Sequence, residues 1–197
     1  MGATHSSAVF FDLDDTLIDT RRRLLPAALQ RVADATGIAP ERLDARGKRI
    51  EEVLQFVGGL TPAQRDAARA AWYAPVVPEL EPLPGAREVL EELRGRLLLV
   101  LVTRGDPARQ RRKIEQCGLG PCFDEIIIRP FEAPGSKRDD FARVMDAHGL
   151  APERCAVVGD DLRDELEHGA DLGCLVLKAP EVALPDVPRR LQEAGIL

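Results

Sequence analysis

The sequence lacks the features that mark membrane proteins, nucleic-acid binders and small zinc-stabilised folds. No run of residues approaches the ~20 apolar positions of a bilayer-spanning helix, and the longest dense apolar run, residues 97–102, has the length of a strand. Positive charge is in the minority, with 27 Lys and Arg against 33 Asp and Glu, whereas nucleic-acid binding needs clustered basic residues. The four cysteines form no C-x-x-C pair. We therefore expect no nucleic acid and no membrane as partners, and the lack of an export signal predicts a cytoplasmic protein with reduced thiols.

The composition is that of an ordinary globular protein, and the chain has two parts that differ in their sequence pattern. The 197 residues are 45% hydrophobic and 30% charged, which suits a little more than one domain. Residues 18–83 are rich in Ala, Leu, Arg and Glu, with apolar residues at helical spacing. The prolines Pro75, Pro78, Pro82 and Pro84 mark the end of this segment. The segment predicts an all-helical insertion placed directly after a first strand at residues 8–11.

Outside the insertion, short apolar runs alternate with helical patterns. Apolar runs at residues 8–11, 97–102, 125–128, 155–158 and 174–177 predict five strands, and the patterns between them predict connecting helices. This alternation is typical of an α/β fold with a Rossmann-like parallel sheet and helices on both faces. The predicted domains are an α/β core at residues 1–17 and 84–197, and a small helical domain at residues 18–83.

Polar residues follow four of the predicted strands, at the sheet edge where such folds bind their ligands. Asp12, Asp14 and Asp160 would meet there, and three nearby carboxylates repel one another unless a cation or a proton intervenes. Oxygen ligands suit Mg²⁺, which binds carboxylates together with phosphate oxygens. Thr103 adds a hydroxyl donor and Lys137 adds positive charge for the same anion. The strand ends therefore predict a site that holds a phosphoryl group.

The same residues resemble the four motifs of the haloacid dehalogenase-like (HAD) hydrolase superfamily. D-L-D-D-T at residues 12–16 matches D-x-D-x-T, Thr103 matches the second motif, Lys137 with Phe141 matches K-x-x-x-F, and G-D-D-L-R-D at residues 159–164 matches G-D-x-x-x-D. The motifs stand in the family's order, each at a predicted strand end. The insertion resembles the family's C1-type cap, which would close over a small phosphorylated metabolite and exclude water.

The resemblance implies a role for each matched residue. Asp12 would be the nucleophile that forms an aspartyl-phosphate, and Asp14 would be the general acid and then the general base. Mg²⁺ would be held by Asp12, by the main-chain carbonyl of Asp14 and by Asp160. The phosphoryl group would be bound by Thr103, Arg104, Gly105 and Lys137. Asp161 and Asp164 would lie behind the metal ligands and support them.

Within the family, Asp14 favours a phosphatase over a dehalogenase, because attack on carbon with a halide leaving group needs no acid at this position. A phosphomutase uses the same signature, so phosphoryl transfer is an alternative, and a catalytically silent ligand-binding relative is another. A receiver-like signalling module also gathers acids, a Thr and a Lys, but it carries its phosphorylated Asp on a later strand and has no helical insertion.

Some residues depart from the family pattern or have two interpretations. Arg104 stands where Asn is common, and Asp161 stands where Ser or Thr is common. Arg21, Arg22 and Arg23 are either a solvated helix face or a contact for an anionic substrate.

Overall fold

The apolar runs at residues 8–11 and 97–102 form the buried centre of the sheet. In the computed structural model, which describes residues 5–43, 50–74 and 80–197, every side chain of the first strand is buried, and the second strand is buried up to its last residue. A strand buried on both faces has a continuous apolar sequence, which makes it recognisable from the sequence alone. The strands are β1 (Ala8–Phe11), β2 (Leu98–Arg104), β3 (Glu125–Arg129), β4 (Cys155–Gly159) and β5 (Leu175–Lys178).

The strands form one parallel sheet in the order β3-β2-β1-β4-β5. The chain adds strands on one side of β1 and then on the other side, so the connections that leave β1 and β4 diverge at the carboxyl ends of these two strands. This divergence opens a crevice at the sheet edge, where open α/β sheets bind their ligands. The predicted α/β fold with a parallel, Rossmann-like sheet is confirmed.

Helices connect the strands and cover both faces of the sheet. Phe10 packs against Phe141 on one face, with ring centroids 4.9 Å apart, and Phe11 meets Phe123 on the other face at 6.3 Å. Adjacent strand residues point to opposite faces, so there is a core on each side. The helices are α1 (Thr20–Arg23), α2 (Leu25–Thr36), α3 (Ile50–Val57), α4 (Pro62–Trp72), α5 (Ala86–Leu93), α6 (Pro107–Cys117), α7 (Lys137–His148), α8 (Glu167–Leu172) and α9 (Val187–Glu193).

The chain divides into two compact units, Met1–Asp19 with Glu79–Leu197, and Thr20–Pro78. The second unit is helical and has its own apolar core, in which Val32, Leu54 and Trp72 are buried. Arg21, Arg22 and Arg23 form the exposed end of its short first helix.

Backbone hydrogen bonds join the two ends of the predicted insertion within the first unit. Ile18 and Pro82 form an isolated antiparallel bridge, and the Leu83 N–H donates to the carbonyl oxygen of Leu17 at 2.7 Å. Pro75 and Pro78 of the proline-rich segment lie outside the described residues.

Two elements near the crevice differ from the sequence prediction. β2 continues two residues beyond the predicted run, to Arg104. The helix predicted at residues 162–170 begins as a π-helical turn, Leu162–Leu166, before α8 follows. Over five residues, apolar spacing does not distinguish the wider π turn from an α-helical one.

Two further predictions are that the cysteines are reduced and that no helix spans a membrane. All four cysteines are free and buried. Within the ranges that the structure describes, none of the helices combines the length and the apolar character that crossing a bilayer requires.

Val157→Ala should lower the free energy of unfolding by about 2 kcal/mol, because it removes two methyl groups from a side chain that is 1% exposed and leaves a cavity. Val176 is its partner in register on β5 and is 37% exposed, so Val176→Ala should cost less than about 1 kcal/mol. Urea unfolding of the two variants measures the difference, and equal losses would contradict this packing.

Candidate active site

The first strand brings two carboxylates to the crevice. The Asp12 N–H donates to the carbonyl oxygen of Val158 at 3.0 Å, which continues the hydrogen bonding between β1 and β4 to this residue. The chain then turns at Asp15, which has a positive φ of 59°, a conformation that Asp tolerates better than most residues. The Asp12 side chain is 8% exposed and the Asp14 side chain is 27% exposed. One carboxylate is therefore nearly buried, and the other is partly open to solvent.

Lys137 is a buried cation that contacts Asp12. It begins α7, whose N-terminus is closed by a capping box, and its side chain is 2% exposed. Its ammonium nitrogen lies 2.7 Å from Asp12 Oδ1, 2.8 Å from Glu165 Oε2 and 3.2 Å from Asp164 Oδ2. The ammonium group donates hydrogen bonds to Asp12 and Glu165 and forms an ion pair with Asp164. The structure thus brings together Asp12, Lys137 and Asp164, which the sequence placed in three separate motifs.

Burial and charge act in opposite directions on these groups. Burial raises the pKa of Asp12 to about 7, because the loss of water disfavours the carboxylate more than the Lys137 ammonium favours it. Burial likewise raises the pKa of Glu165 above its ordinary value, against the attraction of Lys137. Burial by itself would lower the pKa of Lys137, but the charges of Asp12, Glu165 and Asp164 bring it above its ordinary value. The lysine is therefore charged at neutral pH.

Glu165 is a member of this cluster that the motifs did not indicate. It is 2% exposed, and its Oε1 accepts a hydrogen bond from the Asp161 N–H at 2.8 Å. Its side chain packs on Gly159, where an added Cβ would lie 2.4 Å from Glu165 Cγ. The π-helical turn directs this residue back toward the sheet. The available signal was an acidic residue next to Asp164, inside a segment with the spacing of an amphipathic helix.

Asp12, Asp160 and Glu165 form a donor set that fits a hard cation. Each offers one carboxylate oxygen, and these oxygens lie within 4.8 Å of one another. Carboxylate oxygens are the protein ligands that Mg²⁺ prefers. Asp12 and Glu165 are nearly buried, where gathered negative charge is costly without a counter-charge. The set fits the expected Mg²⁺, and it includes Glu165 beside the two side chains that the sequence indicated.

Asp164 links this cluster to Arg104. Asp164 Oδ1 lies 3.2 Å from Arg104 Nη1, while the other guanidinium terminus donates to the Phe131 carbonyl oxygen at 3.2 Å. The guanidinium carbon is 6.0 Å from the centroid of the Phe131 ring. Asp161 has another role, because its Oδ1 accepts hydrogen bonds from the N–H groups of Arg163 and Asp164 and so caps the π-helical turn. The Arg104 side chain is therefore directed by protein groups, one of which it shares with Lys137.

Thr103 lies inside β2, because that strand is longer than predicted. It is 1% exposed, and its hydroxyl accepts a hydrogen bond from Gln110 Nε2 at 2.6 Å. The Gly105 N–H donates to the Arg129 carbonyl oxygen at 2.9 Å. The resemblance assigned Gly105 to the phosphoryl group, but its N–H is engaged within the protein.

Gln110 and Lys113 of α6 also reach the site, and neither was predicted from the sequence. Gln110 Nε2 lies 2.9 Å from Asp14 Oδ2, and Lys113 Nζ lies 2.7 Å from Asp14 Oδ1. Both residues are almost fully buried. They belong to R-Q-R-R-K at residues 109–113, which has the composition of a solvated helix face, so nothing local indicated their burial.

A family model described as haloacid dehalogenase-like hydrolase matches residues 7–173. The chain belongs to this family. The matched range contains all four motifs and the insertion between the first two. The resemblance inferred from the motifs is therefore confirmed, and the protein is a hydrolase of the HAD superfamily.

Two curated relatives carry the names of phosphatases. N-acylneuraminate-9-phosphatase of Mus musculus is 28% identical over 207 residues, which cover 88% of this chain and 82% of the relative. Glyceraldehyde 3-phosphate phosphatase of Pyrococcus furiosus is 26% identical over 186 residues, covering 84% of this chain and 77% of the relative. A solved HAD-superfamily hydrolase of subfamily IA from Geobacter sulfurreducens has a TM-score of 0.74 at 19% identity, over 96% of this chain and 100% of its own. That structure shows a shared fold.

Asp12→Asn should raise the free energy of unfolding in EDTA at pH 8, by on the order of 1 kcal/mol. Burial raises the pKa of Asp12 from 3.8 to about 7, so across this interval the folded protein holds a proton that the unfolded chain has released. The native protein therefore loses stability as pH rises through that window, whereas the Asn variant has no such proton. Urea unfolding at pH 5 and at pH 8 measures the stability gap, which should widen at pH 8.

The control for this measurement is Asp146→Asn, which changes an exposed aspartate near the other end of α7. Its stability relative to the native protein should not depend on pH in this range. A gap for Asp12→Asn that narrows between pH 5 and pH 8 would show that the Lys137 pair outweighs burial.

Proposed function

We propose that this protein hydrolyses a small phosphomonoester in a Mg²⁺-dependent reaction, through an aspartyl-phosphate formed on Asp12. The observation that carries the proposal is the hydrogen bonding of the Asp12 carboxylate. In the part of the chain that the structure describes, Lys137 Nζ donates to Asp12 Oδ1 at 2.7 Å, and Asp12 Oδ2 accepts no hydrogen bond. A carboxylate fixed at one oxygen and open at the other suits attack on phosphorus. The relatives named as phosphatases support the same chemistry.

In the first half-reaction, an oxygen of Asp12 bonds to phosphorus while the ester P–O bond breaks. The departing alkoxide takes a proton from the carboxyl group of Asp14 and leaves as an alcohol. The Lys137 ammonium lies beside the attacking group and offsets the negative charge of the phosphoryl oxygens. The Thr103 hydroxyl, which accepts its hydrogen bond from Gln110, keeps its own proton to donate to one of those oxygens.

In the second half-reaction, a water molecule gives a proton to the Asp14 carboxylate and attacks phosphorus. The bond between phosphorus and the Asp12 oxygen breaks, so phosphate leaves and Asp12 returns as a carboxylate. Asp14 is again protonated. The sum of the two halves is one ester and one water converted into one alcohol and one phosphate.

The residues that would hold Mg²⁺ are Asp12, Asp160 and Glu165, with the Asp14 main-chain carbonyl as a further ligand implied by the family resemblance. When bound, the ion supplies positive charge that favours the carboxylate form of Asp12 and stabilises the phosphoryl oxygens. Lys137 cannot neutralise this cluster by itself, because it already faces three carboxylates.

The proposed substrates are small phosphorylated metabolites. By their names, the two relatives act on N-acylneuraminate 9-phosphate and on glyceraldehyde 3-phosphate. These two esters, a set of other sugar and organic-acid phosphates, and p-nitrophenyl phosphate form the panel that we would test.

Phosphate release from this panel, with Mg²⁺ and with EDTA, tests the proposal. Asp12→Asn should lower kcat by about 10⁴-fold or more, because it removes the nucleophile. Asp14→Asn should lower kcat/KM for alkyl phosphates by about 10²- to 10⁴-fold, because it removes the acid. Chelation should abolish turnover, and the control variant Asp146→Asn, which changes an exposed aspartate of α7, should retain it.

Product analysis separates hydrolysis from transfer. Hydrolysis yields free phosphate and dephosphorylated alcohol in equal amounts, whereas a phosphomutase yields an isomeric phosphate ester. Acid quenching during turnover should trap a phosphorylated protein in the native enzyme and none in Asp12→Asn. Turnover that survives Asp12→Asn would refute the nucleophile assignment.

A further inference from the structure

Helix α6 presents two buried polar residues to the first-strand loop. The helix begins at Pro107 after Asp106, whose side chain accepts the Arg109 N–H and caps it. Gln110 and Lys113 are three positions apart and therefore share one face of the helix. Gln110 is 2% exposed and Lys113 is 4% exposed. Burying an ammonium group costs free energy unless it has a partner, so the burial of Lys113 requires a partner on this side of the helix.

The contacts of Gln110 and Lys113 converge on Asp14. Lys113 Nζ lies 2.7 Å from Asp14 Oδ1, and Gln110 Nε2 lies 2.9 Å from Asp14 Oδ2. Each oxygen of the carboxylate is thus held by a different side chain of the same helix. The Gln110 amide also donates to the Thr103 hydroxyl at 2.6 Å, so one amide group joins Asp14 to the threonine of β2.

Gly105 makes room for this arrangement. Its φ is 157°, and an added Cβ would lie 3.1 Å from Cγ and Cδ of Gln110. That distance is shorter than an ordinary carbon–carbon contact, so a side chain at position 105 would displace Gln110. Because the Gly105 N–H is engaged with Arg129, close approach of Gln110 is the role that the structure gives this glycine.

We propose that Gln110 and Lys113 are positioning residues, which hold the Asp14 carboxyl in the orientation required for proton transfer and align Thr103 with it. The inference rests on the proposed function, since it assigns Asp14 as the acid and base. Two donors on two oxygens fix the plane of the carboxyl group. Each carboxylate oxygen accepts more than one hydrogen bond, so the leaving group and the attacking water still have access to Asp14.

Gln110 and Lys113 would act on protonation of the leaving group by Asp14. The effect of replacing them should therefore depend on how much the leaving group needs a proton. An alkoxide needs protonation to leave, whereas p-nitrophenolate leaves readily without it. Misplacing an acid by about 1 Å costs on the order of 10²-fold in rate. A residue that acts only through Asp14 therefore affects alkyl phosphates strongly and p-nitrophenyl phosphate weakly.

The experiment measures kcat/KM of Lys113→Met and Gln110→Met with the best alkyl phosphate of the panel and with p-nitrophenyl phosphate. We expect a loss of about 10²-fold on the alkyl ester and less than about tenfold on the aryl ester. Lys113→Arg, which keeps the charge, should recover most of the loss. Arg111→Met removes the same charge from an exposed position of α6 and should leave both values unchanged.

A double-mutant cycle decides whether the residues act through Asp14. With the alkyl ester, Asp14→Asn combined with Lys113→Met should be no slower than Asp14→Asn alone. Additive losses, or equal losses on the two esters, would overturn the positioning role while leaving the proposed function intact. If Asp14→Asn itself shows no leaving-group dependence, the acid assignment fails, and the positioning role fails with it. Circular dichroism checks folding, and Gln110→Met carries the test if Lys113→Met does not fold.

Discussion

The candidate site depends on the ion pairs that the ammonium group of Lys137 forms with carboxylates. This group contacts one carboxylate that follows β1 and two that lie in the turn after β4, and Lys137 is the first residue of the helix that follows β3. Without it, Asp12, Asp164 and Glu165 would face one another with little solvent to separate them. Lys137 and, at Asp164, Arg104 supply two positive charges to a cluster that has four carboxyl groups when Asp160 is included, so carboxyl groups remain in excess, which suits a divalent cation. The same group thus holds the proposed nucleophile and keeps the metal position attractive.

Much of this arrangement could be predicted from sequence because it follows from the sheet. β1 is apolar throughout and has the predicted bounds, Ala8–Phe11, and the parallel order brings the residues after each strand to one edge. Polar residues directly after apolar strands are then close in space wherever they stand in the sequence. Asp12 directly follows β1 and Asp160 directly follows β4, and the approach of their carboxylate oxygens to within 4.8 Å follows from this rule. Lys137 lies beyond the end of β3, at the start of a helix, so its contact with Asp12 was indicated by the motif resemblance instead. The rule works because a buried strand fixes the place of its last residue.

The residues that escaped prediction are those placed by exceptions to regular structure or by distant partners. Glu165 reaches the cluster because a π-helical turn shifts it and because Gly159 has no side chain in its way. Gln110 and Lys113 stand in a basic segment of α6 whose composition is typical of exposed helices. Their burial depends on Asp14, which is 96 and 99 positions away, respectively. Local pattern contains no information about a partner at that distance, so only the folded chain shows the pairing.

The two carboxylates of the first motif therefore have separate cations. Asp12 has Lys137 from α7, and Asp14 has Lys113 from α6, although the two aspartates are separated by a single residue. A shared lysine would couple them, because a proton gained by one would release the cation toward the other. With separate lysines, Asp14 can exchange protons in the proposed mechanism while Asp12 keeps its own partner. The difference in exposure, 8% for Asp12 and 27% for Asp14, agrees with this division, since the group proposed to exchange protons with substrate and water is the more exposed one.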